Sequence, residues 1–361
     1  MQIYDNQLYL DDVLSLDTLS LPWQQLEGKK IILSGATGMI GSFFTDVILM
    51  KNQKGLDCTI YALTRTPEKA KARFLRYIED KHLKIVPYDV KEKLSDELID
   101  RADFVLHLAS NTHPLQYSTD PIGTITTNII GLQNLLEYAV HHGANRFVFA
   151  SSNEIYGENR GDSELFEENY CGYINCNTLR AGYPESKRCG EALCQAYIKQ
   201  KSLDVVIPRF TRTYGPTMLM SDTKAISQFI KKGIAGEDIV LKSAGNQFYS
   251  YEYVADSVAG LLTVLLLGES GEAYNIADEQ SDIKLKDLAE LVATEAGTKV
   301  IFELPDSLEA AGYSKASKAR LDGTKLMTLG WKPHYHIQSG IERTLRILKE
   351  SYSNLNSELY V

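Results

Sequence analysis

The chain has 361 residues, of which 44% are hydrophobic and 24% are charged, and it carries a formal net charge of −9. This composition is ordinary for a globular protein with a large core, and the acidic balance argues against a general nucleic-acid binder, which needs a basic face. No apolar run nears the roughly 20 residues of a membrane span and no basic-then-apolar signal opens the chain, so we expect a cytoplasmic protein that binds neither nucleic acid nor membrane.

The five cysteines bear on metal binding. They form no Cys-x-x-Cys pair and no Cys/His cluster at the spacing of a zinc site. We therefore expect free thiols and no metal site.

Residues 1–28 precede the first predicted strand and carry a loose helical pattern of leucines. We expect this segment to be an N-terminal extension that packs on the core of the protein.

A glycine-rich turn follows the first predicted strand. An apolar run from residue 31 reaches this turn, and an apolar-periodic helix is predicted to begin at Met39. In a strand–turn–helix unit such glycines reverse the chain, let the backbone approach a pyrophosphate and allow close helix packing. The helix N-terminus offers free N–H groups and partial positive charge to the phosphates. The predicted dinucleotide contacts in this turn are Gly35, Thr37, Gly38, Met39, Ile40 and Gly41.

The end of the second predicted strand, residues 58–63, bears on the choice of cofactor. A carboxylate there would bind a ribose 2′-hydroxyl, whereas a basic residue would favour a 2′-phosphate. The strand end reads Thr64-Arg65-Thr66, with no carboxylate before Glu68. We therefore predict NAD or NADP as the cofactor, with Arg65 slightly favouring NADP. The alternative is that Arg65 is a solvated loop residue.

Three further strands are predicted at residues 83–87, 104–109 and 146–150. Strands that alternate with helices of a dozen or more residues indicate a parallel, doubly wound sheet. Ligands of such sheets lie beyond the carboxyl ends of the strands. We therefore expect Gly35, Ser110 and Ser152, each of which follows a strand, to converge on one crevice. His107, inside the fourth strand, is interpreted as a core residue.

A catalytic set is predicted from Ser152, Tyr183 and Lys187. Tyr183 and Lys187 are four positions apart on a helix predicted to begin near Pro184, so their side chains face the same way. A tyrosine has an unperturbed pKa of about 10 and is a poor base at neutral pH. A neighbouring ammonium and an oxidised nicotinamide would favour the phenolate and lower that pKa. Ser152 would then hold a substrate hydroxyl while Tyr183 removes its proton and hydride leaves for the nicotinamide.

From residue 30 to residue 345 the chain resembles the extended short-chain dehydrogenases/reductases of the NAD-dependent epimerase/dehydratase family. The matching segments are Gly-Ala-Thr-Gly-Met-Ile-Gly at 35–41, His-Leu-Ala-Ser at 107–110, Ser-Ser-Asn-Glu-Ile-Tyr-Gly at 151–157, Tyr-Pro-Glu-Ser-Lys at 183–187, Thr-Tyr-Gly-Pro at 213–216, Tyr-Val-Ala-Asp at 253–256 and Leu-Gly-Trp-Lys-Pro at 329–333. The resemblance implies an α/β fold with a Rossmann-type, doubly wound parallel sheet of about seven strands. It implies a dinucleotide-binding domain over residues 29–210 and a smaller substrate-binding lobe over 211–361, interleaved with the core.

The same resemblance implies a reaction and partners. Members mostly act on sugars carried by nucleoside diphosphates, and a tightly bound cofactor transiently oxidises a sugar hydroxyl, often at C4, to a ketone. A homodimer is expected through helices over about residues 124–142 and 183–200. Asp89 stands where the superfamily places an acid facing the adenine amine. The implied cofactor contacts outside the glycine turn are Arg65, Asp89, Val90, Leu108, Ala109, Ser110, Asn128, Tyr183 and Lys187.

Glu154 bears on the type of reaction. In the 4,6-dehydratases and UDP-glucuronate decarboxylases of the family a glutamate follows the catalytic Ser/Thr by two positions, as Glu154 follows Ser152, whereas simple 4-epimerases usually lack it. Asn153 stands where dehydratases carry a proton-donating Asp, which weakens the dehydratase interpretation. Residues 183–197 are similar to the decarboxylase group. The alternative for Glu154 is a structural carboxylate that binds backbone N–H groups.

The substrate lobe departs from the family pattern at two positions. Arg212 stands where an asparagine is common, and Tyr249 stands where an arginine commonly grips the diphosphate. Such an exchange could preserve a phosphate site with altered geometry, since a guanidinium binds phosphate in bidentate fashion, or the substrate is not a standard nucleotide sugar. The predicted substrate contacts are Asn153, Arg209, Arg212 and Tyr249, with Lys224 and Lys242 as weaker candidates for anion contacts.

Three functions remain open from sequence alone. The first is an NAD(P)-dependent nucleotide-sugar dehydratase, decarboxylase or epimerase. The second is a net NADPH-dependent ketone or deoxysugar reductase, which Arg65 and Tyr249 favour. The third is a non-catalytic dinucleotide-binding module, against which the intact Ser152, Tyr183 and Lys187 argue.

Overall fold

A computed structural model of the chain describes residues 3–112, 117, 119–303 and 318–352. The described strands are β1 (Lys30–Ser34), β2 (Thr59–Thr64), β3 (Leu83–Pro87), β4 (Phe104–His107), β5 (Arg146–Phe149), β6 (Ser151–Ser152), β7 (Val205–Phe210), β8 (Arg212–Tyr214), β9 (Ile239–Leu241), β10 (Phe248–Tyr249), β11 (Tyr251–Tyr253), β12 (Ala273–Ile276), β13 (Ile283–Lys284), β14 (Val300–Phe302) and β15 (Lys318–Ala319). Seven of them form the central sheet in the order β3-β2-β1-β4-β5-β7-β12, and β6 pairs with β7 beyond the end of β5.

All neighbouring strands of this sheet run parallel. The apolar runs of β1, β4 and β5 explain this, because a strand covered by helices on both faces must be apolar throughout. The predicted α/β fold with a doubly wound sheet of about seven strands is confirmed. Because the strand order reverses between β1 and β4, a crevice opens at their carboxyl ends, where such sheets bind ligands.

The described helices are α1 (Gln7–Ser15), α2 (Met39–Asn52), α3 (Pro67–Arg73), α4 (Pro121–Thr126), α5 (Leu132–His141), α6 (Gly182–Lys201), α7 (Ala225–Ala235), α8 (Val254–Leu267), α9 (Leu285–Ala296), α10 (Thr324–Met327) and α11 (Ile337–Tyr352). A π-helical turn (Thr127–Gly131) joins α4 to α5. Two apolar cores cover the sheet, one built with α2 and α8 and the other with α5 and α6. Across the described ranges, no helix is both long and apolar enough to cross a lipid bilayer.

The N-terminal segment packs against α2 and α11 rather than lying free. Asp12 is fully buried, and its carboxylate accepts hydrogen bonds from the Tyr253 hydroxyl at 2.6 Å and from Nε of Arg343 at 2.7 Å. On the facing side the Tyr9 hydroxyl bonds to Asp46 of α2. A carboxylate this deeply buried is stabilised by such charge-assisted partners, so α1 is held to α2, β11 and α11.

The second part of the chain contributes β12 to the central sheet and three small sheets beside it, with the orders β13-β10-β15, β11-β8 and β14-β9. Its β8 begins two residues after β7 ends, so residues 211–216 run directly from the sheet edge. Residues after 210 thus contribute β12 to the central sheet, as the predicted interleaving of the two domains requires. The predicted domain boundary at residue 210 stays a prediction.

Candidate active site

The glycine turn lies against the end of β4. Gly35 has φ +74°, and a Cβ there would stand 2.8 Å from the backbone nitrogen of Ala109. A Cβ at Gly41 would collide with the Gly35 carbonyl, whereas one at Gly38 would meet only that carbonyl, at 3.2 Å. The packing of the turn therefore requires glycine at 35 and 41. At Gly38 the backbone is less crowded, which leaves room for a ligand to approach it. The N-cap of α2 is Gly38, which has no side chain to cap the helix, so the first N–H groups of α2 suit a pyrophosphate.

The neighbouring cofactor candidates lie around this turn. Thr37, Met39 and Ile40 are half-buried in the turn and the first residues of α2, and Thr217 donates to the Met39 carbonyl at 2.9 Å. Leu108 and Ala109 follow β4 and bond back to Ser34 at 3.2 and 3.3 Å. The residues present thus fit a dinucleotide whose phosphates lie over the start of α2.

A chain of buried hydrogen bonds joins the end of β4 to α6. Ser110 donates to Oδ1 of Asn128 at 2.7 Å, Nδ2 of Asn128 donates to Ser186 at 2.8 Å, and Ser186 donates to the Tyr183 carbonyl at 2.8 Å. Asn128 is fully buried and lies in the π-helical turn, a feature often found at functional sites. The network fixes the helix that carries Tyr183 relative to the predicted cofactor crevice.

Arg65, Asp89 and Val90 lie at the carboxyl ends of β2 and β3, where the sequence predicts the adenosine end of the cofactor. Arg65 is exposed, Asp89 is half-buried and Val90 is buried. Asp89 accepts from the N–H of Lys91 at 3.0 Å and lies 3.6 Å from its ammonium. The structure brings the three residues to one edge of the sheet, as the strand pairing of β2 with β3 requires.

Ser152 and Tyr183 meet beyond the end of β5. Ser152 is buried on β6, Tyr183 is buried in the first turn of α6, and their side chains are hydrogen-bonded. Burial raises the pKa of Tyr183 to about 12, and the bond to Ser152 and the charge of Arg180 oppose that rise. The predicted lowering of this pKa is therefore not produced by the protein alone.

Lys187 explains the difference. Its Nζ is 6.0 Å from the centroid of the Tyr183 ring and donates to the Ala150 carbonyl at 2.7 Å. Burial lowers the pKa of this lysine to about 7, so it carries less positive charge than an exposed lysine would. The remaining cation in the predicted mechanism is the oxidised nicotinamide ring.

Glu154 is half-buried on the turn that follows Ser152, and its backbone N–H donates to the Ser152 hydroxyl at 3.2 Å. Its carboxylate accepts from Nη2 of Arg180 at 2.7 Å on each oxygen. Among the described residues no backbone N–H donates to this carboxylate, which argues against the structural alternative. The guanidinium of Arg180 lies 4.9 Å from the ring of Tyr117, which stacks on Tyr183 at 5.0 Å.

Arg180 and Tyr117 are residues that sequence reasoning did not single out. The signal for Arg180 was its place three residues before Tyr183, one helical turn away, which puts both side chains on one face. Tyr117 had no local signal, because it is far from α6 in the chain.

The predicted substrate contacts separate into two groups. The guanidinium of Arg209 is bonded to Glu191, to the Tyr156 hydroxyl and to the Glu168 carbonyl, with all three nitrogens engaged. These bonds link Arg209 to other parts of the protein, which indicates a structural role. The geometry therefore argues against the predicted role of Arg209 in holding a substrate anion.

Arg212 remains suited to an anion. Its guanidinium stacks on Tyr249 with Cζ 3.6 Å from the ring centroid, and its buried Nη1 has no hydrogen-bond acceptor in the described part of the chain. Asn153 is buried next to Ser152. Lys224 pairs with Asp222 at 3.0 Å.

A profile of the NAD dependent epimerase/dehydratase family matches residues 31–277. UDP-glucuronic acid decarboxylase 1 of Xenopus tropicalis is 30% identical over 333 residues, which cover 92% of this chain and 75% of that relative. UDP-glucuronic acid decarboxylase 6 of Arabidopsis thaliana is 30% identical over 317 residues, which cover 86% of this chain and 86% of that relative.

Solved structures give the same fold. A dTDP-glucose 4,6-dehydratase from Streptomyces venezuelae with NAD bound superposes with a TM-score of 0.76 at 25% identity, over 90% of this chain and 98% of the other. A UDP-glucuronic acid 4-epimerase from Bacillus cereus in complex with NAD also has a TM-score of 0.76, at 22% identity and with 89% and 99% coverage. At that identity the second likeness concerns the fold alone.

Proposed function

The chain belongs to the NAD-dependent epimerase/dehydratase family, and on that premise we propose that it decarboxylates a nucleoside-diphosphate glucuronate without net consumption of cofactor. The observation that carries the proposal is the meeting of Ser152 and Tyr183 beside Glu154, in a chain 30% identical to UDP-glucuronic acid decarboxylases. Asn153, which cannot donate a proton as the aspartate of the dehydratases does, makes dehydration the weaker candidate.

The chemistry follows from the positions of these groups. The glycine turn and the first N–H groups of α2 would hold the dinucleotide, which when bound would supply the hydride acceptor and donor for C4 of the sugar. Ser152 orients the C4 hydroxyl, and Tyr183 takes its proton as hydride leaves. The C6 carboxylate then stands β to a ketone, so the C5–C6 bond can break, with its electron pair passing to the ketone oxygen and carbon dioxide leaving.

The last steps need a hydrogen-bond donor and a proton. Ser152 and Tyr183 donate to the enolate oxygen that forms at C4, which stabilises the developing charge. Glu154, two residues after Ser152 and half-buried, relays a proton to C5 through water. Tyr183 finally returns its proton to the C4 oxygen as the ketone is reduced, and the product is a nucleoside-diphosphate pentose.

The direct test is to incubate the purified protein with UDP-glucuronate and with UDP-glucose and to analyse the products by mass spectrometry. The proposal expects a product lighter by carbon dioxide from UDP-glucuronate, with no net formation of reduced cofactor. Loss of water from UDP-glucose would favour dehydration. Net reductive consumption of NADPH, the alternative raised by Arg65 and Tyr249, finds no support in the relatives described above.

Arg65 carries a prediction on cofactor choice. Since it is exposed at the end of β2, its guanidinium can meet a 2′-phosphate, which NADP has and NAD lacks. Arg65→Ala is expected to weaken NADP binding about 10-fold and to leave NAD binding within about 2-fold, as the loss of one charge-assisted contact predicts. Equilibrium binding of both dinucleotides checks this, with exposed Lys69→Ala as the control. Equal effects on NAD and NADP would contradict the assignment.

We propose a homodimer formed through α4, the π-helical turn and the entry to α6. Exposed apolar side chains gather there, with Ile122 at 76%, Ile130 at 44% and Leu179 at 68% exposure. Ile125 of the same face lies against Gly182, which brings the two helices into one patch. Such patches mark protein interfaces.

The cytoplasmic location expected from the sequence stays a prediction.

Ile122→Glu tests this surface. A charge in the centre of an apolar interface is expected to turn a dimer into a monomer, which light scattering coupled to size-exclusion chromatography measures. Leu98→Glu, at a residue 46% exposed on another surface, is the control and is expected to keep the wild-type mass. An unchanged mass for Ile122→Glu would place the interface elsewhere.

A further inference from the structure

Glu154 is one member of a closed ring of side-chain contacts. Arg180 donates to both of its carboxylate oxygens, the Arg180 guanidinium lies over Tyr117, and Tyr117 stacks on Tyr183 with an angle of 26° between the rings. Tyr183 bonds to Ser152, which accepts from the Glu154 N–H and closes the ring. The guanidinium is therefore held in one orientation beside the groups that would act on the sugar.

Arg180 keeps donors available after these contacts. Both bonds to Glu154 use Nη2, and within the described ranges Nε and Nη1 have no hydrogen-bond acceptor. The Arg180 side chain is 42% exposed, whereas Tyr117, the ring beneath it, is 7% exposed. In the described part of the chain these two nitrogens stay open, and each can donate a charge-assisted hydrogen bond to the carboxylate of a second anion.

The position of Arg180 indicates which anion it would meet. Ser152 and Tyr183 hold the C4 hydroxyl, and C6 is two bonds from C4. The diphosphate is attached at C1, on the opposite side of the sugar ring. The proposed function places Glu154 at C5, the carbon that carries C6, so a cation bonded to Glu154 would lie beside C6.

We propose that Arg180 recognises the C6 carboxylate of a uronate sugar and so selects uronates over neutral sugars. The inference rests on the proposed function, since it places the C4 hydroxyl between Ser152 and Tyr183. Arg180 has a second effect, because its charge offsets that of Glu154, which would otherwise repel a carboxylate in the same space. The test must separate direct binding of the substrate from this indirect effect.

Binding is measured with NAD present, in a Tyr183→Phe background that slows turnover about 10³-fold and keeps the ring stacked on Tyr117. The two probes are UDP-glucuronate and UDP-xylose, which is the same sugar without the carboxylate. Arg180→Met is expected to weaken UDP-glucuronate binding by about 10- to 100-fold and UDP-xylose binding by less than about 2-fold. The control Arg160→Met removes an arginine stacked on Tyr173 at 5.0 Å and is expected to change neither affinity.

Adding Glu154→Gln separates the two effects of Arg180 through a double-mutant cycle. If Arg180 binds the substrate carboxylate, Arg180→Met still weakens UDP-glucuronate binding when Glu154 is already neutral. If Arg180 only neutralises Glu154, that loss disappears in the Glu154→Gln background, and the proposal is overturned. Retained UDP-xylose binding shows in every variant that the site is folded.

Wild-type turnover distinguishes the failure of this inference from the failure of the proposed function. An enzyme that decarboxylates UDP-glucuronate, but whose Arg180→Met variant keeps the wild-type preference for it over UDP-xylose, overturns the inference alone. An enzyme that neither converts UDP-glucuronate nor binds it more tightly than UDP-xylose overturns both.

Discussion

Replacing Tyr183 with phenylalanine is expected to reduce product formation about 10³-fold, within the range of a general acid–base group. The ring remains, so its stacking on Tyr117 and the buried position in α6 are kept. Only the hydroxyl that bonds to Ser152 is lost. The measurement is turnover of UDP-glucuronate at saturating substrate, together with NAD binding, which is expected to stay near the wild-type value.

The control for this variant is Tyr170→Phe. It removes another phenolic hydroxyl, which bonds to the exposed Asp162 at 2.7 Å, and is expected to leave turnover near the wild-type rate. A Tyr183→Phe enzyme with wild-type turnover would contradict the catalytic assignment, because no other phenol in the described structure is bonded to Ser152.

Replacing Glu154 with glutamine is expected to lower product formation by about 10²-fold or more, because the acid–base group at C5 is lost while the side-chain shape is kept. Oxidation at C4 depends on Ser152 and Tyr183 and should continue. Reduced cofactor and a ketone intermediate are therefore expected to accumulate in a single turnover. Absorbance of the reduced nicotinamide after rapid mixing measures this directly.

Glu158→Gln is the control for Glu154→Gln, since Glu158 is an exposed carboxylate only four residues further along the same segment. It is expected to turn over without accumulation of reduced cofactor. A Glu154→Gln variant that loses product formation and shows no reduced cofactor would place Glu154 in the oxidation step instead. The proposed relay of a proton to C5 would then be wrong.

The fold was predictable because its signals are local. The glycines at 35, 38 and 41, the buried apolar strands and the alternation with helices each follow from a few adjacent residues, and β3 was predicted with its observed bounds. The pairing of β12 with β7 had no such signal. It joins segments far apart in the chain, and only packing of α8 against the sheet brings them together.

The candidate site was predictable only in part. Motif spacing gave Ser152, Glu154, Tyr183 and Lys187, but not the partners of their side chains. Lys187 turns to the Ala150 carbonyl, and Arg209 is engaged by Glu191, because both are buried and must satisfy their donors within the protein. Arg180 had a local signal in its place one turn before Tyr183, whereas Tyr117 lies far from α6 in the chain and its stacking on Tyr183 had none.

The most direct test of the central claim is the fate of the hydrogen at C4. UDP-glucuronate carrying deuterium at C4 is converted by the protein, and the product is examined by NMR and mass spectrometry. Transient oxidation predicts a decarboxylated product that keeps the deuterium at C4, with no net reduced cofactor. A product that has lost the deuterium to solvent, or stoichiometric formation of reduced cofactor, would contradict the account.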